Sequence, residues 1–175
     1  ARPVYVYLNG LFWGLHIVHE RADAGFAAAE FGGNKEEYDA IKGAWPTGGF
    51  QVNSGDGVAF TAMMNIVNDS GRSGDEKFGD VQEYLDMDHF IDYILLQIYA
   101  GNTDLRERNW WATRRREPSG QFHFYPWDSE YMLLQITDDV SNFNYTDSPW
   151  RLHQRLRSSP EYRQKFADHV QRHLH

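Results

Sequence analysis

Between Ile98 and Tyr131 the chain reads IYAGNTDLRERNWWATRRREPSGQFHFYPWDSEY, and this stretch concentrates groups able to do chemistry. Asn102, Asp104 and Asn109 lie on a polar turn, and Asp128 and Glu130 follow a second aromatic segment. Carboxylate and carboxamide oxygens are the ligands that hard divalent cations take. Arg106, Arg108 and the run Arg114-Arg115-Arg116 stand among them, and guanidinium groups pair with phosphate oxygens. Donors for a metal beside cations for a phosphate suit phosphoryl transfer, which rests on positioning and charge neutralisation.

The spacing adds to this. Asp104-x4-Asn109 has the interval of a kinase catalytic loop, where Asp meets the substrate hydroxyl and Asn turns to a metal on the nucleotide. A second metal carboxylate must come from another element, and Asp128 stands 19 residues after Asn109, beyond two strand-like segments. D-x4-N alone arises by chance; the ordered set of helix, D-x4-N, hairpin and Asp is more specific. The marks of an ordinary protein kinase are absent: no G-x-G-x-x-G, no V-A-I-K, no His-Arg before Asp104 and no D-F-G at Asp128.

Plainer roles compete for the same residues. Asp and Asn form turns through local hydrogen bonds, which would account for Asp104, Asn109 and Asp128. Glu130 is equally a surface carboxylate. Arg114 to Arg116 read as a solvated hairpin edge, whereas Arg106 and Arg108 are either phosphate contacts or ion-pair partners. His16 and His19, three apart on a strand, point to opposite faces. His169 and His173, four apart near a helix C-terminus, are spaced to share a metal but read as surface residues favoured by the helix dipole. A pair of carboxylates hydrolysing a glycan fits the aromatic content but gives Asn109 no role.

The elements that must position these groups are legible. Val4–Leu8 and Leu11–Val18 alternate as strands around Asn9-Gly10, a strong hairpin signal. An alanine-rich helix from Phe26 to Phe31 is stopped by Gly32-Gly33. Residues 38–42 read as a short strand carrying Lys42, and residues 45–49 as a loop. Asp56 is placed to cap a helix over 58–67, and a further short helix is expected over 78–85. Asp86 or Asp88 caps the clearest helix, with Phe90, Ile91, Ile94, Leu95, Ile98 and Tyr99 in one apolar stripe ended by Gly101. Residues 110–114 and 122–125 are strand-like, with Pro118-Ser119-Gly120 between them. After a polar loop over 135–149, residues 150–156 form a short helix. Ser159-Pro160-Glu161 starts the last one. A hairpin followed by helices with a small embedded hairpin is α+β.

Composition bounds the function. The 175 residues suit one domain with its own core. A net charge of −8 argues against a general nucleic-acid binder. The absence of cysteine excludes disulfides, thiolate zinc sites and cysteine nucleophiles. No apolar run reaches the length of a membrane span.

The chain resembles the CotH kinase family, spore-coat kinase-like proteins. The residues carrying the resemblance are VYLNGLFWGLHIVHERAD (6–23), GNKEEYDAIKG (33–43), DHFIDYILLQIYAGNTDLRERNWW (88–111) and YPWDSEY (125–131). It implies an atypical protein-kinase-like fold and ATP-dependent phosphorylation of a protein at Ser or Thr, with Mg2+ or Mn2+. By position Asp104 matches the catalytic Asp, and Asn109 and Asp128 match the metal-binding pair. Glu130 stands beside them where an Asp is common. Glu20, after the first hairpin, and Lys42 fall on the nucleotide side, and Arg106 is placed for its phosphates. Ile41 precedes Lys42 where the family has Tyr. The chain is expected to be one CotH-like domain over 1–175 without its upstream, nucleotide-covering part. The alternative is an inactive pseudokinase or surface-binding module of a larger exported protein. The resemblance places it outside the cell, at a bacterial surface or spore coat.

Overall fold

β-Branched and aromatic residues pack best on a pleated surface, and the first eighteen residues form a hairpin from them. In the computed structural model, which describes residues 2–106 and 108–174, β1 (Arg2–Leu8) pairs antiparallel with β2 (Leu11–Val18). Asn9 and Gly10 take φ of 50° and 80°, the left-handed values a two-residue hairpin turn requires. The register shifts at Val6 and Tyr7, opposite Gly14, so that glycine marks a bulge. The hairpin is a sheet of its own and stands apart from the core. Tyr5, Leu11, Trp13, Leu15 and Ile17 are all exposed by more than 60 %.

The second sheet is larger than the embedded hairpin expected from sequence. Its four antiparallel strands run β4-β3-β5-β6, with β3 (Tyr38–Gly43), β4 (Phe50–Ser54), β5 (Trp110–Arg115) and β6 (His123–Pro126). β4 hides in sequence because its alternation, Phe50-Gln51-Val52-Asn53, is only four residues long and follows the loop residues Gly48-Gly49. Period-two alternation then separates the faces. Ile41, Trp110, Ala112 and Phe124 face the main core, and Tyr38, Ala40 and Trp111 face a smaller cluster.

The smaller cluster is covered by α1 (Ala24–Phe31) through Ala24 and Ala27. Asp23 starts this helix by accepting from the backbone N–H groups of Gly25 and Phe26. The main core is built by α2 (Val58–Asn68), α3 (Gly74–Val81), α4 (Met87–Tyr99) and α5 (Pro149–Leu156). α6 (Pro160–Leu174) closes it through Tyr162. α3 begins earlier than expected, at a capping box in which Ser73 and Glu76 satisfy each other's backbone N–H groups. Gly74 in its first turn fits because a Cβ there would stand 2.5 Å from the Ser158 carbonyl carbon.

α4 is capped by Asp86, whose carboxylate accepts from the His89 N–H at 3.0 Å. Phe90, Ile91, Ile94 and Leu95 are buried as the stripe requires, but Tyr99 is 67 % exposed. The buried face continues instead to Gln97, a polar residue. That substitution at the helix end matters for the loop that follows. Among the described residues, no helix is long and apolar enough to cross a membrane.

Candidate functional site

The loop after α4 is organised by its amides. Gln97 Oε1 accepts from Asn102 Nδ2 at 2.8 Å, and Asn102 Oδ1 accepts from the Asp104 N–H at 3.2 Å. Asn102 is 1 % exposed, so it shapes the turn from inside. Trp150 donates its indole N–H to the Leu105 carbonyl at 2.5 Å. A buried polar group holds its place strongly when its partners are met, and these bonds fix the backbone on both sides of Asp104.

The Asp104 carboxylate is 14 % exposed and engaged at both oxygens. Arg108 Nη2 lies 2.7 Å from Oδ1, and Asn109 Nδ2 donates to Oδ2 at 2.5 Å. The guanidinium of Arg108 also lies over Trp45, 4.6 Å from the ring centroid. Arg108 therefore takes the ion-pair role. Arg106 is exposed and donates from Nε to the Thr103 carbonyl at 3.3 Å.

Asn109 and Asp128 leave the same end of the β5–β6 pair. Trp110 stands opposite Pro126, and on the next rung the Trp127 N–H donates to the Asn109 carbonyl at 3.1 Å. Asn109 and Asp128 both have positive φ, 63° and 52°, a conformation Asn and Asp tolerate better than most residues. Asp128 is exposed, one residue from that bond; Glu130 is exposed two residues further on. The segment returns to α4 where the Leu133 N–H donates to the Ala100 carbonyl at 2.7 Å.

Lys42 lies at this end of the sheet too. It pairs with Trp111 across β3 and β5, and its ammonium stands 5.6 Å from the Trp111 ring centroid. Trp111 and Trp127 meet edge to face at 6.3 Å. Arg21 lies over both rings, at 5.9 and 5.6 Å, while His19 meets Trp127 at 5.4 Å. Glu20 is the exposed residue between His19 and Arg21. The two tryptophans thus form a shared floor under Lys42 and Arg21, next to the turn that carries Asp128.

The structure brings Asp104 and Asn109 into contact and sets Asp128 beside them along the backbone. Lys42 is gathered through Trp111, while Glu20, Arg106 and Glu130 are exposed. Sequence reasoning missed Arg21, Gln97 and Trp150, whose parts depend on packing between distant segments. Arg114 to Arg116 are structural. Arg114 and Arg116 flank the buried Asp39 at 3.6 and 3.7 Å, and Arg115 pairs with Glu37 at 2.8 Å. Burial pushes the Asp39 carboxyl up, against the bond from the Asp56 N–H and the two arginines.

A family model described as CotH kinase protein matches residues 1–175. Among curated proteins none matches the chain.

Proposed function

The chain belongs to the CotH kinase family, and on that premise we propose that this end of the sheet transfers phosphate from ATP to a Ser or Thr hydroxyl of a protein. The observation that supports the reading is the gathering of Asp104, Asn109, Asp128 and Lys42 at one end of the four-stranded sheet.

Asp104 would orient the attacking hydroxyl and take its proton as the new oxygen–phosphorus bond forms and the bond to ADP breaks. Its carboxylate is already held from two sides, so little orientational freedom remains to be lost at the reaction. A carboxamide that donates through nitrogen keeps its oxygen for a cation, and Asn109 donates to Asp104 in this way. With the Asp128 carboxylate, and Glu130 reaching in from the margin, it would supply an all-oxygen set of the kind Mg2+ or Mn2+ takes. Bound there, the metal would neutralise charge on the phosphates. Lys42, Arg21 and Arg106 are the cations that would meet the nucleotide, with Glu20 beside Arg21 in the chain.

One feature favours a non-catalytic reading, a pseudokinase or surface-binding module. Asp104 has Arg108 on one oxygen and Asn109 on the other, so a substrate hydroxyl must compete for it. Incubation with labelled ATP, Mg2+ or Mn2+ and a Ser/Thr-containing protein decides between them. Transfer that falls at least a hundredfold in Asp128→Ala and Asp104→Asn supports the kinase reading. Transfer equal to wild type in Asp128→Ala overturns it. Metal-dependent ATP binding without transfer supports the rival.

A further inference from the structure

The seam between α4 and α6 gathers five ionisable side chains at the opposite end of α4 from Asp104. Asp88 and Asp92 lie one turn apart on α4, and Lys165, His169 and His173 repeat the same interval on α6. His169 is 1 % exposed, and both its ring nitrogens meet carboxylates. Nδ1 stands 2.6 Å from Asp92 Oδ1, and Nε2 stands 2.9 Å from Asp88 Oδ1. His173 Nε2 reaches the same Asp92 oxygen at 3.0 Å, and Lys165 Nζ holds Asp88 Oδ1 at 2.8 Å.

A neutral imidazole has one N–H and one lone pair. With a carboxylate oxygen against each nitrogen, a neutral His169 sets a lone pair against an anion on one side. Two additions relieve this: a proton on the ring, or a cation between the ring and a carboxylate. The second also accounts for His173, which aims at the same oxygen from the next turn of α6.

We propose that His169 Nδ1, His173 Nε2 and the Asp92 carboxylate form a site for a transition-metal ion of the zinc class. The three ligand atoms lie within 4.8 Å of one another. A tetrahedral site with bonds of about 2 Å has ligand–ligand edges of about 3.3 Å. The contacts of 2.6 and 3.0 Å therefore open only slightly to admit the ion. Two imidazoles and one carboxylate suit Zn2+, Co2+ or Ni2+, whereas Mg2+ takes oxygen ligands and keeps its waters. With the ion on Nδ1, the Nε2–H donates to Asp88. A carboxylate behind the ligating histidine fixes its tautomer and orientation, and Lys165 anchors that carboxylate in turn. The ion then clamps α6 to α4, and the fourth position is left for water.

The test titrates the metal-free protein with Co2+, then Zn2+, in the absence of nucleotide. The expected result is one equivalent of Co2+ giving the visible absorption of a tetrahedral site, displaced by Zn2+, with a raised thermal midpoint. His173 is 46 % exposed, so His173→Ala keeps the fold while losing at least a hundredfold in affinity and the thermal shift. Asp88→Asn weakens binding about tenfold. Asp128→Asn, at the other metal-accessible end of the molecule, leaves it unchanged. The proposal is overturned if the wild type takes up neither ion at micromolar concentration. It is equally overturned if His173→Ala binds as tightly as the wild type, or if only Asp128→Asn abolishes binding.

Discussion

Asn109 donates its side-chain amide to the carboxylate of Asp104 at 2.5 Å, closing the loop between α4 and β5 across five residues. The bond fixes one side chain by the other, so the spacing of the pair serves the loop's shape as well as any ligand. Asn109→Asp keeps a residue tolerant of its left-handed backbone but turns the donor into a second carboxylate. The expected cost is about 1–3 kcal/mol of unfolding free energy, from the lost bond and like-charge repulsion. Urea denaturation measures it, and an unchanged midpoint would show that the bond contributes nothing.

Two glycines of α3 should respond oppositely to alanine. At Gly74 a Cβ would meet backbone atoms of Ser158 and Ser159 at 2.5–2.7 Å, while at Gly79 nothing lies within 4 Å. Gly74→Ala is expected to destabilise by about 2 kcal/mol or more through overpacking. Gly79→Ala is expected to stabilise by up to about 1 kcal/mol through helix propensity. Paired thermal melts read the difference; the same sign for both would refute the collision.

His153 sets an acid limit on stability. Burial holds its pKa down from 6.5 to about 3, with Arg157 adding to the effect, and its Nδ1 pairs with the buried Tyr162 hydroxyl at 2.8 Å. Below about pH 6.5 the unfolded chain takes up a proton that the folded state refuses. Stability from this group is thus complete above pH 6.5 and is lost as pH falls toward 3, by on the order of 1 kcal/mol per pH unit. His153→Gln, which does not titrate, should flatten that slope; a pH series of denaturation midpoints with the same slope in both proteins would exclude it.

The first hairpin is expected to govern association and not folding. Leu15 and Ile17 are exposed by 61 and 63 %, and β1 and β2 supply no residue to either core cluster. Leu15→Lys with Ile17→Lys should change the unfolding free energy by less than about 0.5 kcal/mol each. The same pair should reduce concentration-dependent self-association and dye binding at the apolar patch. Sedimentation and calorimetry separate the two effects, and a large loss of stability would place the hairpin in the folding unit.

Much of this was legible because it is local. The Asn9-Gly10 turn, the Asp86 cap, the helix start at Pro160 and the Asp104–Asn109 spacing are short-range signals with physical causes. What escaped depends on partners far away in sequence. The Asp88/Asp92 and His169/His173 pairs share an interval of four, yet only the packing of α4 against α6 brings the two faces together around the buried His169. Likewise β4 alternates over too few residues to stand out and is defined by the β3 edge that it covers.

Trp150 donates its indole N–H to Leu105, and Trp45 lies under the Arg108 guanidinium, which gives the loop around Asp104 its own optical reporters. A shift of this loop alters the electrostatic surroundings of both indoles, so emission wavelength and quenching follow it without an attached dye. The competing light comes in part from Trp13, which stands 64 % exposed on the hairpin, and Trp13→Phe removes that background from outside either core.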